Sequence, residues 1–287
     1  MATFKILTDS CCDFAADQYI QLGLEKVTLT MEFRGNVIPD RNDDSLKEIY
    51  DAMRTGESAK TAAVNPEQWA AAMKPALEAG QDVLVMAFSS GLSGTCQAAM
   101  IAAEEMEDKY PGRKIRVVDT LCASMGQGLL VWYACRKRDE GLSLEEVAAW
   151  VEENKLHLCH WFTVDDLMHL KRGGRVSAAT ALVGTMLQIK PLLHVDDEGH
   201  LIKVSTARGR KASIQALARK AKELGEGYDN STMFISHGDC LEDARYLEEL
   251  IRKECGAKEV ITNYVGAVIG SHSGPGTLAL FFLGKNR

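Results

Sequence analysis

Asp82-Val83-Leu84-Val85-Met86-Ala87-Phe88 runs directly into Ser89-Ser90-Gly91-Leu92-Ser93-Gly94-Thr95. The first stretch is a short apolar run closed by polar residues and glycine, which predicts a central strand. Gln97–Lys109 after the loop is helix-compatible, so the order is strand, tight polar loop, helix. Working outward, Lys5–Leu7 opens a strand that stops at Thr8-Asp9-Ser10. Ile115–Val118 is another strand, ending at Asp119-Thr120 before a helix over Gly126–Asp139. Alternation of this kind predicts a mostly parallel sheet in a three-layer α/β/α arrangement. Ligand loops in such sheets lie beyond the carboxyl ends of the strands. Thr8–Ser10, Ser89–Thr95 and Asp119–Ser124 all hold that position.

Between these landmarks, helices are predicted over Phe14–Leu22 and Asp43–Met53, and a strand over Val27–Phe33 with a turn at Arg34-Gly35-Asn36. Glu57–Pro66 reads as a polar loop. Gln68–Glu78 reads as a helix that Pro75 should kink or divide. Ser143 and Glu146 form a capping box ahead of Leu144, Val147, Ala148 and Val151 on one helical face.

The texture changes near residue 160. A strand over His160–Val164 precedes a helical start at Val164–Leu170 and the basic turn Lys171-Arg172-Gly173-Gly174-Arg175. Ala178–Met186 is predicted helical. Pro191–Val195 and His200–Thr206 pair through a turn at Asp196–Gly199. Helices over Arg208–Leu224 and Glu242–Lys253 alternate with strands over Met233–His237 and Val260–Val265. A Gly-rich loop and the strand Leu278–Phe282 follow. The expectation is two domains: 1–158, three-layer α/β with a mostly parallel sheet, and 159–287, two-layer α/β with a mixed sheet.

Bulk properties fit this and exclude other classes. The chain has 287 residues, 46% of them hydrophobic and 25% charged, with six prolines. A net charge of -7 gives no general attraction to phosphate backbones, so nucleic acid is not an expected partner. No apolar stretch follows a basic start, and Val83–Phe88 and Leu278–Leu283 fall far short of the roughly 20 residues that span a bilayer. The expectation is a cytoplasmic protein without integral membrane association. The eight cysteines include no C-x-x-C, and reduced thiols are expected.

Several residues carry chemical potential. Gly91 and Gly94 flank Leu92-Ser93 at a helix start, where free N–H groups and the Ser93 hydroxyl can bind an anion. The rival reading is a Ser-capped strand–helix turn. A nucleophile elbow requires Gly-x-Ser-x-Gly, which this loop lacks. A hydrolase using Ser93, Asp119 and His272 stays open, because triads are spatial. Thr61 offers a hydroxyl in the polar loop. Lys171, Arg172 and Arg175 can bind phosphate or an acidic partner, or be a solvated basic turn. His272, in Gly270-Ser271-His272-Ser273-Gly274-Pro275-Gly276, can donate to an anion or carry protons. His157, Cys159 and His160 have no second ligand set with zinc-like spacing, so no metal is expected. No Walker A or Gly-x-Gly-x-x-Gly motif occurs in the sequence.

Taken together, these motifs resemble the DegV family of bacterial fatty-acid-binding proteins. Ile6-Leu7-Thr8-Asp9-Ser10, the Ser89–Thr95 loop, Val118-Asp119-Thr120 with Ser124 and Gly126, and Ile269–Gly276 are similar to its signatures. The most specific match is Asp166-Leu167 through Leu170–Arg175, continued by Ile189-Lys190-Pro191. The resemblance implies a DegV-like fold with a lipid between the domains or within the second. It implies fatty acid carboxylate binding at Thr61, Ser93, Gly94 and His272, and phosphate- or partner-facing roles for Lys171, Arg172, Arg175 and His272. It implies no catalytic residue and no cofactor beyond the fatty acid, such as palmitate, stearate or oleate. The implied partner is a separate kinase that uses ATP to form an acyl phosphate for phospholipid synthesis. A kinase-independent carrier or sensor is the alternative. Two departures stand out: Thr61 continues as Ala62-Ala63-Val64-Asn65-Pro66 with fewer hydroxyls, and Ser271 and Ser273 replace threonines common in relatives.

The chemistry is coherent. A buried CH₂ contributes about 0.8 kcal/mol, so a sixteen-carbon tail grosses on the order of 10 kcal/mol, while the carboxylate must keep hydrogen bonds. Regions expected to line the tunnel are Thr180–Ile189, Leu192–Val195, Met233–Ile235, Tyr264–Ile269 and Leu278–Leu283.

Overall fold

The computed structural model describes residues 4–177 and 188–287. The predicted helix at 178–186 and most of the lining region at 180–189 lie outside these residues.

Sheet A is parallel, in the order β2-β1-β6-β7: β1 is Phe4–Asp9, β2 Glu25–Val27, β6 Asp82–Ala87 and β7 Ile115–Asp119. β6 shows why the fold layers as it does. Val83, Val85 and Ala87 project into one core with helices α3 (Pro66–Glu78) and α4 (Thr95–Lys109). Leu84 and Met86 project into a second core with α5 (Met125–Asp139) and α6 (Leu144–Asn154). The period of two along a strand sends alternate apolar side chains to opposite faces, and here both faces are covered.

Sheet C is mixed, in the order β10-β9-β8-β13-β11-β12, from strands β8 (Leu158–Thr163), β9 (Ile189–Val195), β10 (Leu201–Arg208), β11 (Thr232–His237), β12 (Glu259–Tyr264) and β13 (Leu278–Leu283). Its inner face presents Phe162, Leu193, Phe234, Ala279 and Phe281 to the core containing α5. Its outer face packs Trp161, Met233, Ile235, Leu278, Leu280 and Phe282 against helices α8 (Arg210–Leu224) and α9 (Leu241–Cys255). α5 therefore lies between the two sheets and shares one core with both. The fold is α/β, with a parallel sheet and a mixed sheet. No helix among the described residues is long and apolar enough to cross a membrane.

A third, three-stranded antiparallel sheet (β4-β3-β5) was not legible in the sequence. It is formed by β3 (Thr30–Phe33), β4 (Asn36–Pro39) and β5 (Lys60–Ala62). The single strand expected over Val27–Phe33 is in fact two: β2 pairs with β1 in sheet A, and β3 pairs with β4 and β5. The expected polar loop around Thr61 contains β5, because Lys60–Ala62 finds partners in Glu32–Thr30, far away in sequence. Pro75 does not divide α3: it lies on the solvent face opposite buried Trp69, Met73 and Leu77. There the carbonyl deprived of a partner can bond water. The Gly-rich segment expected as a loop forms helix α10 over Ala267–Ser273, packed against α7 (Leu167–Arg172) and α2 (Leu46–Arg54).

Candidate ligand-binding site

The three loops at the carboxyl edge of sheet A are tied to one another. Asp9 accepts from the Cys11 N–H at 3.0 Å and the Phe88 N–H at 2.7 Å, fixing the β1 and β6 loops together. Burial pushes its carboxyl up to about 7 against those bonds. Ser89 N–H donates to Cys122 O at 3.1 Å, joining the β6 and β7 loops. The Ser89 hydroxyl donates to Gly199 O at 2.9 Å, holding the β9–β10 hairpin turn of sheet C over this edge. Gly91 permits that approach: a Cβ there would meet Glu198 O at 2.8 Å.

Between this edge and the inner face of sheet C lies a cavity of about 270 Å³. Its apolar walls include Phe88, Leu92, Phe162, Leu170, Val268 and Phe281. Thr61, Ser93, Gly94, Arg175 and His272 also line it. The structure thus brings together four chain segments that the sequence keeps up to 211 positions apart.

Each polar residue is placed by its own element. Pairing of Met31 with Thr61 fixes β5 beside α10. Thr61 Oγ1 and His272 Nε2 are 2.8 Å apart. Burial first, and the Arg175 charge second, push His272 down to about 4, so its imidazole is neutral near pH 7. Ser93 Oγ lies 2.9 Å from Thr95 Oγ1 and accepts from Thr95 N–H at 3.3 Å, at the start of α4. The first-turn N–H groups of a helix have no carbonyl within the helix to bond, and they carry partial positive charge. Arg175 is half-buried and donates to Leu92 O at 3.0 Å and to Gly173 O. The site combines neutral donors with one cation.

A second cleft, of about 370 Å³, adjoins the first and shares Thr61, Arg175 and His272 with it. Its remaining walls are mostly polar or basic: Ser58, Lys60, His169, Arg172 and Ser271, with Ala59 and Gly173 between them. Arg172 and His169 are paired, Nη2 to Nδ1 at 3.0 Å. Lys171 lines neither space, because α7 turns it away from the residues on either side of it.

Other expectations resolve differently. Asn65 does not replace the missing hydroxyls beside Thr61. It is the N-cap of α3, accepting from Gln68 N–H at 2.9 Å. A triad is not assembled: His272 bonds Thr61, and Asp119 accepts from Ser90 and Leu121 N–H groups. His157, Cys159 and His160 each bond a different carbonyl, of Gly284, Asn286 and Leu158 respectively. Of the lining regions, the Leu278–Leu283 strand supplies only Ala279 and Phe281, and Met233 and Ile235 face the outer core instead. Strand alternation explains both. Ala123 and Ser124 line the cavity from the loop Asp119–Ser124, one of the three expected at the sheet edge, whereas Ser236 was not singled out and only the pairing of distant strands exposes it.

The arrangement can enclose an apolar chain whose end group accepts hydrogen bonds or carries negative charge. A family model described as "Uncharacterised protein, DegV family" matches residues 3–285, and the chain belongs to that family. It is 42% identical over 289 residues to a DegV domain-containing protein of Clostridium perfringens, covering 100% of this chain and 99% of that one. Among solved structures it is similar to a fatty-acid-binding DegV family protein from Thermus thermophilus. That match has 33% identity and a TM-score of 0.88, covering 98% of this chain and 99% of that one. A DegV lipid binding protein from Thermotoga maritima is 29% identical with a TM-score of 0.85, covering 99% of each chain.

Proposed function

We propose that this protein binds one long-chain fatty acid and presents its carboxylate to a separate, ATP-dependent fatty acid kinase. The tail lies in the apolar cavity. The carboxylate meets Thr61, Ser93, the Gly94 backbone and His272. The observation that carries the reading is the junction of the two spaces: the apolar cavity and the basic cleft meet at Thr61, Arg175 and His272. A carboxylate held there has its tail in one space and its reacting oxygens toward the other. Arg172 and Arg175 then face the phosphoryl group or the docking kinase. The protein is a carrier of substrate, and the chemistry belongs to the partner. In this reading residues 1–158 and 159–287 act as two domains that clasp the ligand, in the cytoplasm.

Neutral donors suit this task. A buried ion pair holds its charge through a large desolvation balance, whereas hydroxyls and amides satisfy the head group and release it to a competing donor set. Lipid extraction followed by mass spectrometry tests binding: a co-purifying long-chain acid is expected. A protein that carries none and binds none when offered removes the proposal. Acyl phosphate formed by a purified bacterial fatty acid kinase only in the presence of this protein tests the presentation step.

A further inference from the structure

The cavity wall is not uniformly apolar. Ser124 and Ser236 line it as a bonded pair, with their hydroxyl oxygens 2.9 Å apart. Ser124 donates onward to the buried Asp13 carboxyl. Ser124 occupies this position against two local preferences. It is the N-cap of α5, yet its hydroxyl makes no cap bond, although serine in that place ordinarily accepts from the first turn. Its φ of 54° with ψ of -146° lies where residues bearing a Cβ are seldom found. Both preferences are surrendered to set a hydroxyl between Asp13 and Ser236.

Whichever way the protons run from Asp13 through Ser124, Ser236 keeps a donor or acceptor valence beyond that chain. Ser273 adds a second open group. It is buried, lines the same cavity, and its hydroxyl has no hydrogen-bond partner. The two are close in the fold. Thr277 Oγ1 donates to Ser273 O at 3.0 Å, and Thr277 O accepts at 2.7 Å from Gly238 N–H, two residues past Ser236. Ala279, two residues past Thr277, pairs with Ser236 across β13 and β11.

A saturated hydrocarbon segment satisfies neither hydroxyl, and buried polar groups left facing CH₂ are costly. A hydroxyl on the chain satisfies either kind of valence, and a keto oxygen accepts from whichever serine has a proton to give. We propose that the ligands of this cavity include long-chain acids bearing a hydroxyl or keto oxygen part-way along the chain, bonded by Ser236 and Ser273. This rests on the fatty-acid reading above and narrows its substrate class.

The test uses the delipidated full chain and displacement of a fluorescent fatty acid. The competitors are stearic acid and a set of hydroxystearic acids differing in hydroxyl position. At least one positional isomer is expected to bind as tightly as stearic acid. Ser273→Ala should weaken that isomer by roughly tenfold, the size of one hydrogen bond, and leave stearic acid within about twofold. Ser236→Ala should do the same; since Ser273 has no partner to lose, its variant carries the test should Ser236→Ala fold poorly. Rejection of every isomer with stearic acid still bound overturns this inference alone, as does an equal loss of both ligands in Ser273→Ala. Failure of both ligand classes overturns it together with the function proposed above.

Discussion

Replacing Gly173 by Ala adds one methyl group where the structure has no room for it. Gly173 has φ -73° at the C-cap of α7, so alanine meets no backbone penalty there. Its Cβ, however, would sit 2.2 Å from His272 Nδ1 and 3.1 Å from Cγ. The imidazole must move, and moving it breaks the 2.8 Å contact with Thr61. One net hydrogen bond between the two side chains, and one from the displaced ring to the carboxylate, sum to roughly 1–3 kcal/mol. That corresponds to a fall in fatty acid affinity of roughly 5- to 150-fold. Gly174→Ala is the matched control: its φ of 72° makes alanine strained, but nothing lies within 4 Å of the new Cβ. It should cost about 1 kcal/mol of stability and leave binding unchanged. The assay is displacement of a fluorescent fatty acid from delipidated protein, with thermal melts of both variants. Wild-type affinity in Gly173→Ala would refute the reasoning. Equal weakening in the two variants would refute it too, by assigning the effect to the turn rather than to His272.

Delipidated protein should melt well below the loaded form. Ligand at a hundred times its Kd contributes about 2.7 kcal/mol, or roughly 4–5 °C for a chain of this size; coincident melts would count against a bound lipid. Ala279→Leu, which fills part of the cavity from β13, should shift the preferred acid to a shorter chain, at about 0.8 kcal/mol per displaced CH₂. An unaltered chain-length ranking would place the tail elsewhere. Burial pushes Asp40 up to about 6, although its Oδ1 accepts from the Arg41 and Val268 N–H groups. The folded state therefore keeps this proton up to about pH 6, the unfolded chain only to about 4. Stability falls as pH rises through that window. Asp40→Asn should remove this fall and be roughly 1–3 kcal/mol more stable than wild type at pH 8, as measured by urea unfolding; parallel pH profiles would contradict it.

Much of the fold was legible because it is written locally. The apolar run at Asp82–Ala87, the capping box at Ser143 and Glu146, and the alternating strands and helices are properties of neighbouring residues. The loops at the carboxyl ends of β1, β6 and β7 followed from the same alternation, and they do meet. Thr61, Ser93 and His272 stand out in the sequence as donors in polar or Gly-rich segments, and the resemblance implies one shared role for them; that Thr61 and His272 touch is a property of the fold alone.

What the sequence by itself determined, then, was the layering and the inventory of hydroxyl, imidazole and guanidinium groups, since propensity and periodicity act over a few residues. Tertiary structure alone decided that Lys60–Ala62 is a strand, that Ala279 and Phe281 face the cavity while Leu278 and Leu280 do not, and that Ser124, Ser236 and Ser273 share its wall. Each of these depends on pairing between segments tens to hundreds of residues apart, and no local signal encodes the partner or the register.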